Sequence, residues 1–474
     1  MKKALSVILI ICAVLGCLCS CRRLDPIVLT PRNKVPEDEY IRLAPGVTRE
    51  MTSAEYWQKE EYNSTVMSLP QIERFNKENN KLISFGGKSI ALNDYRETVS
   101  GEDVKRLINS IPLDNIETEF FVNSQQIGSE YRYSLSQNIN TDGIPERVNV
   151  KFGFSTERAT LRKYPTADYA NNEYDDLFHD EFIMSDYMPF APLAVLHESR
   201  DGLWYFVSLY GVSGWIEKEK TAICPSRSDW IRRQEPDEFL IVTGKNLRLA
   251  DDPYCPQLSG LLLPMGTKME LVSRKDAPES IGSRYTYGNY IVRLPVRLSD
   301  GSISDSYSLI PSNSDVSKGY MPYNFNNVIS LALKLQGDAY GWAGSFNSND
   351  CSGIIREIFL CFGFEMPRRA GQQISLSGFT PVDCSQRADY FKMETLKNSP
   401  PGTFIYYQGH IMIYLGMSNS EPFVLSSVGT ISTSEAKQGE TFRVNAVMIS
   451  SLQRTLRKNG ESWLTSAEKI LTLE

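Results

Sequence analysis

The segment Asp350-Cys351-Ser352-Gly353 runs straight into apolar residues at helical spacing, Ile354, Ile355, Ile358, Phe359 and Phe362. No other feature constrains the last third of the chain as much. A helix with that stripe must bury one face, and the spacing puts Cys351 in its first turn. Upstream, Val328, Leu331, Ala332 and Leu335 mark a helix that ends before Gly337. Downstream, Thr403-Phe404-Ile405-Tyr406-Tyr407 and His410-Ile411-Met412-Ile413-Tyr414-Leu415-Gly416 read as two strands joined at Gln408-Gly409, with His410 opening the second. A cysteine at a helix start and a histidine on a strand supply a nucleophile and a general base for acyl transfer. The positive end of the helix is expected to lower the Cys351 pKa. Cys361 falls inside the apolar pattern and is expected to be a buried small hydrophobe.

At 474 residues the chain is too long for one ordinary core. Residues 22 to about 50 carry Pro26, Pro31, Pro36 and Pro45 among polar residues and read as a tether. Helical signals dominate from about 50 to 115. Thr52 and Glu55 can form a capping box, Pro70 sits near the start of a stripe through Ile72, Phe75 and Leu82, and Ser100 precedes Val104, Leu107, Ile108 and Ile111. Between about 150 and 312 short alternating runs are broken by Gly, Pro, Asn and Asp, the texture of small all-β modules. Thr160-Leu161-Arg162 with Pro165 is echoed by Asn246-Leu247-Arg248 with Pro253. Asp201-Gly202-Leu203-Trp204, then Gly214-Trp215-Ile216, resemble bacterial SH3-type barrels.

The first residues read as a targeting signal. Lys2 and Lys3 precede an apolar run, Ala4 to Leu15, shorter than the ~20 residues of a spanning helix. Gly16-Cys17-Leu18-Cys19-Ser20-Cys21 then resembles a bacterial lipoprotein signal, with Cys21 as the lipidated residue and Cys17 as the alternative. An uncleaved N-terminal anchor is the other reading. Beyond it lie five cysteines, Cys224, Cys255, Cys351, Cys361 and Cys384. An odd number in an oxidising compartment leaves one thiol without an internal partner. With three histidines and no C-x-x-C pair, a structural zinc site is not expected, and no cofactor is implied. A net charge of −7 argues against a nucleic-acid partner.

Tyr340-Gly341-Trp342-Ala343-Gly344, Asp350-Cys351-Ser352-Gly353, Met366-Pro367-Arg368 with Gln373, and Gly409-His410-Ile411-Met412-Ile413-Tyr414-Leu415-Gly416 together resemble the NlpC family of cell-wall cysteine peptidases. The resemblance extends to a multidomain subgroup. It implies an α+β multidomain fold: a papain-like catalytic domain (313–474) preceded by two SH3-like β-barrels (151–222 and 223–312). Before these come a tether with a mostly helical N-terminal stabilising domain (22–150) and a signal peptide (1–21). The implied activity is hydrolysis of the γ-D-glutamyl bond to a diamino acid in peptidoglycan stem peptides, in relatives trimmed peptides with a free N-terminal L-alanine.

By the same resemblance Cys351 is the nucleophile and His410 the base. Asp350 contacts the substrate amine, and Ser352, Tyr340 and Trp342 line the substrate. Tyr210 on the first barrel is a candidate for closing one end of the cleft. The family commonly places a second histidine after the first, to orient it. Here Ser426 takes that place, and a serine carries no charge to stabilise an imidazolium. A slow enzyme, another polar helper and a retired enzyme that binds peptidoglycan fragments all remain open, as does an acyltransferase or amidase on the same fold.

Overall fold

His410-Ile411-Met412-Ile413-Tyr414-Leu415 is apolar at almost every position, the pattern of a strand covered on both faces. The computed structural model, which describes residues 41–111, 120–174, 176–437 and 439–473, shows this cover. Strand His410–Ser418 lies inside an antiparallel sheet whose neighbouring strands run Phe379–Asp383, Lys469–Leu473, Phe404–Tyr407, His410–Ser418, Glu421–Thr433 and Phe442–Ser451. Because side chains alternate along a strand, Ile411, Ile413 and Leu415 enter one core. Met412 and Tyr414 enter another, with Val424, Leu396 and Trp463. Helices Phe325–Lys334 and Cys351–Leu360 pack on the first face through Val328, Leu331, Ile354, Ile355, Ile358 and Phe359.

The first barrel is a sheet in the order Ile183–Tyr187, Ala159–Arg162, Val212–Glu217, Trp204–Leu209, Pro192–Glu198, Lys151–Ser155, Thr221–Ile223. Along Trp204–Leu209, Tyr205, Val207 and Leu209 fill one core, while Trp204 and Phe206 face a second core that takes in Val104, Leu107, Ile108 and Leu135 from the N-terminal segment. The second barrel orders Ile303–Pro311, Asn289–Arg297, Lys268–Leu271, Phe239–Val242 and Val316–Lys318. Its last strand lies past residue 312. Helix Arg227–Gln234, expected with the second barrel, packs on the first: Trp230 is fully buried and its Nε1 donates to the Gly153 carbonyl at 3.0 Å.

The described residues of the N-terminal segment form no core of their own. Val47, Met51, Trp57, Ile72 and Phe75 join the peptidase core, whereas Ile83 to Val148 join the core on the first barrel. The apolar stripes are where the sequence places them, but they bury against two different bodies. The expected tether therefore ends before Val47. Residues 22–40 of it, Cys21 and Cys17 lie outside the described residues. Helix Leu69–Asn79 begins with a Ser68–Gln71 capping box. The box expected at Thr52–Glu55 does not form: Ser53 is the residue before helix Ala54–Trp57 and its side chain caps no backbone N–H but bonds the Glu55 side chain, while Thr52 Oγ1 donates to the Arg49 carbonyl. Among the described residues no helix is long and apolar enough to cross a membrane.

Candidate active site

Helix Cys351–Leu360 starts where Asp350 adopts an extended conformation and its Oδ1 accepts the Gly353 N–H at 3.0 Å. This N-cap bond satisfies one of the orphan donors of the first turn. With Ile354, Ile355, Ile358 and Phe359 buried against the sheet, Cys351 is held at the helix tip, half-buried, beside the head of strand His410–Ser418. The Ile411 N–H reaches the thiol. Gly409, at φ +90°, makes the tight turn that brings His410 to that strand head, a conformation that favours glycine. The His410 ring sits between Tyr407 and Trp463, with centroids 5.4 and 5.3 Å away. Its Nε2 lies 3.2 Å from Ser426 Oγ, on the neighbouring strand.

Burial dominates the electrostatics. It pushes the Cys351 thiol up to about 12, with the Asp350 charge adding to the rise. The Ile411 and Ser352 N–H groups and Arg368 pull the other way. The helix start does pull the pKa down, through the Ser352 N–H, but burial outweighs it. A helix end carries about half a unit charge, and here a full negative charge caps it. Burial also depresses His410 to about 4. The resting pair is thus a neutral thiol beside a neutral imidazole.

Asp350 does more than cap. Its two oxygens accept Arg368 Nη1 and Nη2 at 2.8 and 2.9 Å. Burial alone would raise its carboxyl, but Arg368 outweighs this and holds it below the usual carboxylate range. Ser352 is drawn into the same group: its Oγ donates to Asp350 Oδ1 at 3.1 Å and accepts Arg368 Nη1 at 3.1 Å. Tyr340 is half-buried within reach of the Asp350 and Cys351 charges, and its hydroxyl is pushed up by desolvation. Trp342, on the next loop, is 36% exposed.

Tyr210 meets the peptidase domain by donating its hydroxyl to the Glu365 carbonyl at 2.9 Å. Next to it the Gly211 carbonyl accepts Gln372 Nε2 at 3.3 Å. Tyr210 is thus a docking contact between barrel and peptidase, and no bond links it to Cys351 or His410.

Two groups escaped the sequence reading. His179, on the first barrel, lies edge-on to Trp342 at 5.2 Å and 6.5 Å from Tyr340, with Asp176 Oδ2 2.6 Å from its Nδ1. The second group is a buried charge cluster. Asp186 of the first barrel, fully buried, takes Arg368 Nε at 2.6 Å, Arg356 Nη2 at 2.8 Å and Arg158 Nε at 3.0 Å. Arg158 continues to Asn349 Oδ1 at 2.8 Å and to Glu357 at 3.0 Å. Arg368 already stood in a quoted motif. Asp186 gave no local signal.

Residues 337–448 match the NlpC/P60 family, and residues 169–217 match the SH3 domain of SH3b1 type. The chain carries an NlpC/P60 domain. NlpC/P60 is a cysteine peptidase family, so the chain is an enzyme of that kind, a cell-wall hydrolase. Together the NlpC/P60 and SH3b domains point to a peptidoglycan-related substrate and an extracellular or envelope protein. The solved structure of an NlpC/P60 endopeptidase from Photobacterium damselae subsp. piscicida is similar over 94% of this chain and 99% of its own, at 16% identity and a TM-score of 0.69. At that identity the likeness speaks to fold, and it runs through the barrels as well as the NlpC/P60 domain. NlpC2 from Trichomonas vaginalis matches over 68% of this chain and 97% of its own at 13% identity, with a TM-score of 0.26, too low to add to the argument. A search of curated proteins found no match. Among the described residues no cluster of His, Cys, Asp and Glu is placed to hold a metal ion.

Proposed function

We propose that the NlpC/P60 domain hydrolyses the γ-D-glutamyl–diamino acid bond of peptidoglycan stem peptides, trimmed ones with a free N-terminal L-alanine. Cys351 is the nucleophile and His410 the base. The observation that supports this reading is a helix-tip cysteine whose thiol takes the N–H of Ile411, the residue next to His410, while His410 Nε2 is engaged by Ser426. That bond leaves Nδ1 to take the thiol proton. Because the resting pair is neutral, the proton moves as the thiolate attacks the γ-carbonyl. The Cys351 backbone N–H, in the first helical turn, donates to the oxyanion. His410 then protonates the leaving amine, and water releases the acyl-enzyme.

Tyr340 and Trp342 form the wall along which the peptide lies. Asp350 is the partner for the substrate ammonium, a charge-assisted pairing in which Arg368 must share the carboxylate. Cys21 carries the lipid that anchors the protein to a bacterial membrane.

Mass spectrometry of L-Ala-γ-D-Glu-diamino acid peptides incubated with wild type and Cys351→Ala tests the reading. Release of L-Ala-D-Glu by the wild type alone supports it. No cleavage of either free or glycan-linked peptides sinks it.

A second reading, a weakly active or inactive envelope protein that binds peptidoglycan fragments, draws on two observations. The His410 partner is an uncharged serine. A groove of about 1050 Å³ between the N-terminal segment and the first barrel, lined by Tyr131, Tyr133, Asp201, Leu203 and Lys218 among others and reached by Arg297 of the second barrel, contains none of the predicted site residues. Retention of fragments by Cys351→Ala without turnover by wild type would favour it.

A further inference from the structure

Among the contacts between the peptidase site and the first barrel, the most heavily bonded centres on one side chain. Asp186 is fully buried and faces guanidinium groups from three separate segments: Arg158 of its own barrel, Arg356 of the nucleophile helix, and Arg368. Burial would raise its carboxyl, but the three cations outweigh that and hold it far below the usual range. Arg368 cannot serve Asp350 alone. Its Nε is committed to Asp186, while Nη1 and Nη2 grip Asp350. The orientation of the Asp350 cap is therefore fixed from the barrel side.

A second contact converges on the same residue. Loop residues Ala343, Gly344 and Phe346 all have positive φ, at 48°, 91° and 60°. Gly344 lies so close to the barrel that a Cβ there would stand 2.2 Å from Asp186 Cβ. The loop that carries Trp342 is seated directly on Asp186.

We propose that Asp186 is a positioning residue of the peptidase site, fixing the Asp350 cap of the Cys351 helix through Arg368 and seating the Trp342 loop. The first barrel is then part of the active site rather than an appended binding module. The inference rests on Cys351 as the nucleophile and not on the identity of the peptide.

The test compares Asp186→Asn with Asp180→Asn in the full chain. Asp180 pairs with Arg162 at 3.0 Å, equally buried but wholly within the barrel. Both variants lose a buried ion pair, so both lower the melting temperature. Only Asp186→Asn should lower kcat per folded molecule, by about ten- to a hundredfold, since small misplacements of reacting groups cost that much. Equal kcat in the two variants overturns the proposal.

Should Asp186→Asn not fold, Arg158→Lys takes its place. It keeps the charge but loses the fork that joins Asp186 to Asn349. A folded Arg158→Lys with wild-type kcat counts against the proposal, and a reduced kcat supports it. If wild type cleaves no peptide, the substrate reading fails by itself. The pH profile of Cys351 alkylation by iodoacetamide, read by peptide mass, then replaces kcat. The charged and titratable groups that act on the thiol are Asp350, Arg368, Tyr340 and Tyr407, and His410 stands next to Ile411, whose N–H reaches it. Freeing Arg368 from Asp186 should move the alkylation midpoint down, and an unmoved midpoint overturns the proposal.

Discussion

The two barrels hold opposite ends of one helix, and they do so by different physics. At the N-terminal end the first barrel inserts Asp186 into a buried cluster that reaches Asp350, the residue before Cys351. Toward the C-terminal end the second barrel offers backbone and shape. Cys361 Sγ donates to the Val242 carbonyl at 3.4 Å, and Gly266 lies against Leu360 and the Glu357 carbonyl. Directional, charged contacts guard the end where chemistry happens. Close packing guards the other, where only the helix's position matters.

Removing Arg368 is the harshest way to break this contrast. Arg368→Met leaves Asp350 and Asp186 facing each other across a buried space with one cation fewer. Breaking a buried pair by deleting one partner costs about 3–5 kcal/mol. Turnover per folded molecule should fall by about a hundredfold as the Cys351 cap loosens. Chemical denaturation and peptide hydrolysis on one preparation read both effects. A variant with normal turnover would show that the charged end is merely structural.

Gly266→Ala strikes the other end. Its φ is +84°, and a Cβ would meet Leu360 Cβ at 2.7 Å and the Glu357 carbonyl at 2.9 Å. Overpacking with left-handed strain costs about 1–3 kcal/mol. The expected result is a lower melting temperature with unchanged kcat, so loss of kcat would erase the difference between the two ends.

Part of this organisation was legible in the chain itself. The Cys351 helix and the His410 strand are local facts: a stripe at helical spacing, a Gln408-Gly409 turn, a continuous apolar run. Ser426 was reachable only through the family resemblance, which aligns Glu421-Pro422-Phe423-Val424-Leu425 and puts a serine where a second histidine is common; its hydroxyl lies 3.2 Å from His410 Nε2. Asp186 was not reachable. In Ser185-Asp186-Tyr187, on an alternating strand, a carboxylate reads as a solvent-facing position, and only the convergence of three arginines from distant segments makes it a core residue. The N-terminal stripes posed the same difficulty. Periodicity says that Phe75 and Leu107 are buried, but not that one serves the peptidase core and the other the barrel.

Acid offers a milder probe of the charged end. His410 is neutral in the fold, its pKa depressed from 6.5 to about 4 by burial. Between those values the unfolded chain binds a proton that the folded chain refuses. The stability contributed by this group is present above pH 6.5 and is lost as pH falls toward about 4. Burial raises the Glu357 and Glu365 carboxyls, which take up protons in the fold and oppose the trend. The informative quantity is therefore the difference between wild type and His410→Gln. Melting curves from pH 7 to 4 should converge as pH falls, and parallel curves would contradict a buried neutral His410.

The smallest expected effect belongs to His179. It touches the site from the first barrel by ring contact alone, edge-on to Trp342, and Asp176 fixes its orientation through Nδ1. Its side chain is 33% exposed, and its partner Asp176, although buried, still accepts the Phe178 N–H at 2.8 Å, so the fold should tolerate the loss. Aromatic pairs of this kind contribute about 0.5–1.5 kcal/mol, which corresponds to a two- to tenfold change in an equilibrium constant. His179→Ala should therefore raise KM by about that factor, because Trp342 loses the ring that steadies it, while kcat stays near wild type. Steady-state kinetics separate the two constants. A fall in kcat with KM unchanged would move His179 from the peptide wall into the chemistry, and the first barrel would then reach the reacting atoms by a second route besides Asp186.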